Sequence, residues 1–274
     1  MVLFNKSTPL FHICHSISTR NDPHVYGMHA HDRMELYMLI QGDVCFGIEG
    51  SEQPLQPYDI VITREAETHK LTVDPNVPYE RIWIQFKKEL IEKVDPQLIL
   101  LSPFYNRPLG TNNLFRTYKK SESFCYDCLK KMMVESNDLP YETQFLSCFL
   151  PILCELNLTM QDHPPIDSKE PADLTTKLIA HINDHLFEPL TLEKISKEFY
   201  LSKSQLNRIF QRATGSTIAH YISIKRLLSA QAKIKDGIPI HQAAQQCGYN
   251  DYSTFFRAYK SQFGVSPNDD KCTP

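Results

Sequence analysis

The chain has 274 residues and a mass of 31.7 kDa, with 42% hydrophobic, 22% charged and 11% aromatic residues. That mixture is ordinary for a globular protein, so a disordered or collagen-like chain is excluded, and the length allows two domains without disulfide staples. The net charge of −3 conceals a division: from residue 175 onward there are 13 Lys+Arg against 8 Asp+Glu, and the part before it carries 16 against 24.

A basic C-terminal part behind an acidic N-terminal part points to contact between one half and a polyanion. No run approaches 18 consecutive apolar residues, so no membrane span is expected. The start, MVLFNKSTPLFHICHS, lacks the basic-then-apolar pattern of a secretion signal. The scattered cysteines fit reduced thiols in a cytoplasmic protein.

Residues 8–88 read as strands. LFHICHSIS, ELYMLIQG, VCFGIEG, DIVIT and RIWIQF are short, rich in β-branched and aromatic residues, and punctuated by Gly42, Gly50 and prolines 54, 57, 75 and 78. Such a series predicts an antiparallel barrel or sandwich. From about residue 89 the period becomes helical: KKELIEKVDPQLILL, NLFRTYKKSESFCYDCLKKMMVES and ETQFLSCFLPILCELNLTM predict accessory helices over 89–160 beside the barrel. QDHPPIDSKEP is polar and carries three prolines, so residues 161–174 read as a linker between a domain at 1–160 and one at 175–274.

Past the linker everything is helical. TTKLIAHINDHLFE forms a first helix, Thr191 caps a second, and Ser202 with Gln205 makes a capping box for a third that ends before Gly215. Ser216 is the expected cap of a long helix reaching about Lys235 and closed by Gly237. Two shorter helices follow, from about Ile240 to Cys247 and from Asn250 to Gly264. Short helix, tight turn, second helix and Gly thus occur twice, over 192–215 and 240–264: two helix-turn-helix units joined by a long helix. In the first unit Leu206, Ile209, Phe210 and Ala213 form the expected buried stripe, and Phe255, Phe256, Tyr259 and Phe263 do so in the second. The opposite faces carry Lys203, Ser204, Asn207, Arg208, Gln211 and Arg212, then Tyr252, Ser253, Thr254, Arg257 and Lys260. Arg can pair with guanine and Asn with adenine, while Lys, Ser and Thr suit phosphates. A plain solvated face would also be polar, but two copies on one long helix favour the nucleic-acid reading.

PLTLEKISKEFYLSKSQLNRIFQRATGSTIAHYISIKRLLSAQ followed by GYNDYSTFFRAYKSQFGVSP resembles the DNA-binding domain of the AraC/XylS transcription regulators, over about residues 175–267. The resemblance implies that the third and sixth helices enter successive major grooves of double-stranded DNA. The implied DNA-binding residues are Lys203, Ser204, Asn207, Arg208, Gln211, Tyr252, Ser253, Thr254, Arg257 and Lys260. The usual Tyr-Arg after the final Ser-Pro is replaced by Asn268-Asp269-Asp270, and Ala243 stands where Ile is usual. In the N-terminal part, His29-x-His31-x3-Glu35-x6-Gly42, then Pro57-Tyr58-Asp59 and His69, resemble the two cupin motifs. In this family such a domain implies a sensor for a sugar or another small-molecule effector.

The expected effector-binding residues are therefore His29, His31, Glu35 and His69, with Tyr37, Phe46 and Trp83 as possible walls. His29, His31 and Glu35 share strand parity, and with His69 they could form a three-His, one-carboxylate metal site, but the four are read as polar walls of the effector pocket and no bound metal is expected. No cofactor is expected. The predicted architecture is α+β in two domains: a cupin-like antiparallel barrel with accessory helices, then an all-α DNA-binding domain. The expected partners are DNA, a small effector, a second copy in a homodimer, and RNA polymerase. A metal-dependent cupin enzyme with a DNA-binding appendage is the alternative, resting on the four pocket residues.

Other signals are weaker. Cys125-x2-Cys128 has zinc-ligand spacing but no second pair at a suitable distance, and it reads as helix packing. His181 and His185, spaced i, i+4, read as a surface pair. No phosphate loop, nucleophile elbow or kinase signature occurs.

Overall fold

The computed structural model describes residues 1–18, 27–116, 124–135, 138–162 and 174–271. Its strands are β1 (Val2–Ser7), β2 (Phe11–Ser18), β3 (Met34–Gln41), β4 (Val44–Ile48), β5 (Ser51–Pro54), β6 (Ile60–Thr63), β7 (His69–Val73), β8 (Tyr79–Phe86) and β9 (Leu114–Phe115). They form two antiparallel sheets, ordered β1-β2-β8-β3-β6-β9 and β5-β4-β7. Strand β3 explains the layering. Alternation sends Tyr37 and Leu39 inward, where they meet Phe46, Ile48, Val61 and Tyr79 between the sheets. Met34, Leu36 and Met38 face the other way and pack with Ile60, Ile62, Ile82 and Ile84 under a helical layer. Six of its eight residues are buried, so it reads as a nearly continuous apolar run.

The helical layer consists of α1 (Lys88–Glu92), α2 (Ser102–Tyr105), α3 (Phe124–Met132) and α4 (Tyr141–Asp162). Its core side chains include Phe104, Leu129, Phe145, Phe149 and Leu153. The helix expected across 113–136 is shorter. Leu114 and Phe115 pair instead with Val61 and Ile60, because the open edge of β6 offers backbone partners. Among the described residues α4 alone is long and apolar enough to cross a membrane, and its buried face packs on the sheet. Most of the expected linker lies outside the described residues.

The C-terminal part comprises α5 (Leu174–Asp184), α6 (Leu192–Glu198), α7 (Lys203–Thr214), α8 (Ile218–Lys235), α9 (Ile240–Gln246), α10 (Tyr252–Phe263) and α11 (Pro267–Lys271). Thr191 caps α6, and the Ser202–Gln205 capping box opens α7. Helix α8 begins one residue later than expected. Thr217 accepts from His220 N, while Ser216 is buried and bonds within the turn. The stripe of α7 is also rotated. Leu206, Phe210 and Thr214 are buried, whereas Ile209 and Ala213 are half-exposed because they face the barrel domain. In α10, Phe255 and Tyr259 are fully buried and Phe256 and Phe263 only partly.

Helix α8 is the spine of both units. Its first half supplies Ile218, Tyr221 and Ile222 to the core with Leu178, Leu206 and Phe210. Its second half supplies Leu227, Ala230 and Ile234 to the core with Ala243, Phe255 and Tyr259. Arg226 donates to the carbonyls of Leu186 (2.7 Å), Glu188 (2.7 Å) and Gly248 (3.1 Å), tying one unit to the other. Asp270 accepts from Tyr259 Oη and Gln231 Nε2, both at 2.6 Å. The departure at Asn268-Asp269-Asp270 therefore anchors α11 onto α8 and α10.

Candidate functional site

Lys203, Ser204, Arg208 and Gln211 are exposed on α7, as are Tyr252, Ser253, Thr254, Arg257 and Lys260 on α10. Neither helix carries an acidic side chain. Several of these side chains have prior engagements: the Ser204 hydroxyl is 3.1 Å from that of Ser202, and Arg257 Nε donates to the Ser253 carbonyl at 3.3 Å. Asn207 is half-buried, and its Oδ1 accepts from Ile218 N at 3.2 Å, which fixes α7 against the start of α8. The Lys203 ammonium pairs with Glu193, and Thr254 bonds the Asp251 cap through both its N–H and its hydroxyl. Arg208, Gln211 and Lys260 are exposed.

The four residues expected around an effector do converge. His29 forms an isolated bridge with His69, exchanging backbone hydrogen bonds of 2.9 Å in both directions. His31 lies in the bend before β3, and its Nε2 is 3.1 Å from Glu35 Oε2. His69 Nε2 lies 4.0 Å from Glu35 Oε1. The convergence thus comes from a bridge and a bend, not from one continuous strand carrying His29, His31 and Glu35. Gln85 Nε2 donates to Glu35 Oε2 at 2.8 Å. Burial would raise the Glu35 carboxyl, but the His31 hydrogen bond and the neighbouring imidazoles outweigh it and hold the pKa at about 2. Burial pulls the His69 pKa down to about 3 despite the nearby Glu35 carboxylate. At neutral pH the cluster therefore holds an ionised carboxylate beside a neutral, buried imidazole. One ring nitrogen from each of His29, His31 and His69 lies within 4.8 Å of the other two, so this trio could hold a metal ion.

The expected walls behave differently. Tyr37 and Phe46 are fully buried in the core between the sheets, and Tyr37 bonds Tyr79 through the hydroxyls at 3.0 Å. Trp83 packs partly against the same core. Tyr37 and Phe46 are therefore core side chains between the sheets and not exposed walls of a cavity. A cavity of about 710 Å³ lies elsewhere, between Gly50, Ser51 and Glu52 of the β4–β5 hairpin and Thr175, Thr176, Arg208, Ile209 and Arg212.

The two halves are joined by buried charge. Glu49, in the left-handed conformation at φ 46°, accepts from Lys225 Nζ at 2.6 Å, from Thr68 N at 2.7 Å and from the Tyr221 hydroxyl. A second pair, Lys235 with Asp32 at 2.5 Å, lies farther along α8. Sequence reasoning missed Glu49 and Lys225. The one local signal was a lysine four residues after Tyr221 and three before Leu228, on the buried face of α8.

A comparison with characterised proteins bears on these elements. Over 93 residues the chain is 36% identical to the regulatory protein SoxS of Escherichia coli K12, covering 87% of that protein and 34% of this one. The chain belongs to the AraC family. The multiple antibiotic resistance protein MarA of Salmonella typhimurium matches at 33% identity over 93 residues, 73% of its length and 34% of this chain. The profile of the AraC-like ligand binding domain matches residues 16–109, and that of a helix-turn-helix domain matches residues 195–271. A solved structure of ToxT from Vibrio cholerae is similar with a TM-score of 0.41 at 12% identity, over 96% of this chain and 98% of that one. By its two profile matches, this AraC-family chain pairs a β domain of the AraC-like ligand-binding type with a helix-turn-helix domain. The Cys125–Cys128 pair lies along α3, with Cys125 buried, and His181, mostly buried against His185 and Phe199, bonds the exposed Glu198 at 3.2 Å.

Proposed function

We propose that this AraC-family protein is a transcription regulator whose C-terminal helices read duplex DNA and whose barrel binds a small effector at His29, His31, Glu35 and His69. The observation that carries the DNA half is the pair of acid-free outward faces, on α7 and α10, mounted on the single helix α8. Arg208 and Arg257 are assigned to guanine edges and Gln211 to adenine. Lys203, Lys260, Ser204, Ser253 and Thr254 serve phosphates. Tyr252 and the free amide nitrogen of Asn207 border the same faces. The matched relatives are named as regulatory and resistance proteins, and the histidine cluster is read here as a sensing site rather than a catalytic one.

The exposed apolar side chains Phe124, Val134, Leu139 and Leu158 on and beside α3 and α4 support assembly into a homodimer in the cytoplasm. Contact with RNA polymerase belongs to the same reading. Gel shifts on fragments 172–274 and 1–165 test the assignment. The first is expected to bind a selected duplex, with affinity falling by orders of magnitude between about 50 and 200 mM salt as counterions are released. Binding by the second alone would overturn it.

A further inference from the structure

We infer that the cavity between the β4–β5 hairpin and helices α5 and α7 is a second ligand site, taking a small anion with carboxylate or phosphate groups, and that its occupant competes with DNA for Arg208. The site is separate from the histidine cluster. The competition rests on the DNA-reading role given to Arg208 above.

The spacing along α7 creates the site. Leu206, Phe210 and Thr214 share the buried side of the helix. At about 100° per residue, Ser204 and Gln211 stand opposite that side, and Ile209 and Ala213 form the flank toward the barrel domain. Arg208 and Arg212 fall between the outward face and that flank, and both line the cavity. Arg208 therefore belongs to two surfaces at once, while Arg212, one turn on, continues the cavity side.

The chemistry of the lining selects the ligand. Among the described residues neither guanidinium has an ion-pair or hydrogen-bond partner. The one carboxylate among the described lining residues, Glu52, is held by Lys70 Nζ at 2.7 Å. Two unneutralised guanidiniums thus share one wall. Each offers a planar fork that matches a carboxylate or phosphate, and side chains at i and i+4 stand about 5–6 Å apart at Cβ, a span that suits two anionic oxygens or groups of one small molecule. Ser51 and Thr176 add hydroxyls, and only Ile209 and Ala213 carry purely apolar side chains, so the lining fits a hydrophilic anion rather than a long acyl chain. The volume of about 710 Å³ is that of a small-molecule site.

The walls come from different domains and are held in place. Gly50, at φ 83°, lets the hairpin approach α5 so closely that a Cβ there would stand 2.6 Å from Ile179 Cδ1 and 3.1 Å from Thr175 Cγ2. Glu49 beside it is tied to Lys225 and Tyr221 of α8. An anion bridging hairpin and α7 holds this arrangement and occupies the Arg208 fork. Anion and DNA then weaken one another by the same factor.

The test is calorimetry on the full-length protein with malate, glycerol 3-phosphate and neutral erythritol, at an ionic strength kept constant with sodium chloride. One equivalent of malate or glycerol 3-phosphate is expected to bind, the tighter one naming the anionic group, and erythritol is not. Arg212→Gln, an exposed position outside the assigned DNA contacts, should weaken binding at least about tenfold at an unchanged melting temperature. His31→Ala should bind the anion as wild type does. The anion should lower affinity for a duplex selected from a random library at least about fivefold. Arg212→Gln should keep the wild-type affinity for that duplex and lose the decrease. Failure of both anions to bind, or binding that survives Arg212→Gln, would overturn the site. Anion binding with unchanged DNA affinity would overturn the competition at Arg208. Absence of DNA binding with and without anion would instead remove the regulator reading and the competition with it, while the calorimetry still decides the cavity.

Discussion

Glu67 and Arg107 form a fully buried, two-pronged ion pair, with both N–O distances 2.7 Å. Gly110 N and Arg64 N also donate to the Glu67 carboxylate, and the Glu67 carbonyl holds the His69 ring. Burial alone would raise the Glu67 carboxyl, yet the Arg107 hydrogen bonds and charge win and lower it. A depressed carboxylate stabilises the fold above its unfolded value of about 4.3 and loses that contribution as pH falls through the folded value. Glu67→Gln leaves Arg107 buried without its partner and is expected to cost about 3–5 kcal/mol at pH 7. The urea midpoints of variant and wild type should draw together as pH falls below the unfolded value of about 4.3 toward the depressed folded one, where the wild-type carboxyl takes up a proton. Arg208 is the second test at this scale. Arg208→Ala should cost about 1–3 kcal/mol of DNA binding and relax preference at one base pair, read by competition between specific and scrambled duplexes. Equal loss on both would reassign Arg208 to a phosphate.

At the scale of elements, the start of α8 separates two neighbouring hydroxyls. Thr217→Ala removes the acceptor for His220 N and is expected to destabilise by about 1 kcal/mol. Ser216→Ala removes a hydroxyl bonded only within the turn and should cost less. Thermal melts of the two variants compare them directly. Sequence alone could not choose between them, since both side chains precede the same apolar run. Signals confined to one turn were legible: the Thr191 cap, the Ser202–Gln205 box, and Gly215 and Gly264 in the left-handed region. The short pairing of Leu114 and Phe115 was not, because its cause is the exposed edge of β6, more than fifty residues earlier in the chain. The stripe on α7 was misplaced for a similar reason. Ile209 and Ala213 look like core by spacing, but the β4–β5 hairpin gives them a different neighbour.

For the whole molecule, the contact between domains depends on groups far apart in sequence. Glu49 and Lys225 are 176 residues apart, and their side chains are 2% and 5% exposed. No periodicity announces such a pair, whereas the four residues of the cluster carried a motif and were legible before their geometry was known. Removing one partner strands the other. Lys225→Met is thus expected to cost about 3–5 kcal/mol, and the double variant Glu49→Gln/Lys225→Met less than the sum of the two single changes. Chemical denaturation of all four proteins completes the cycle, and strict additivity would show that the pair is not coupled. Gly50, beside it, has φ 83°, and a Cβ there would stand 2.6 Å from Ile179 Cδ1. Gly50→Ala should therefore separate the hairpin from α5, making the sites around it more susceptible to proteolysis.

Residues 28–32 touch both domains, His29 and His31 meeting His69 while Met28, Ala30 and Asp32 meet the C-terminal helices, and this restricts how the chain can change length. Histidines at odd positions and docking residues at even ones share one strip of backbone, so adding or deleting a single residue there exchanges the two sets. The imidazoles would then turn toward α8, and Met28 or Ala30 toward Glu35. A two-residue change preserves the alternation.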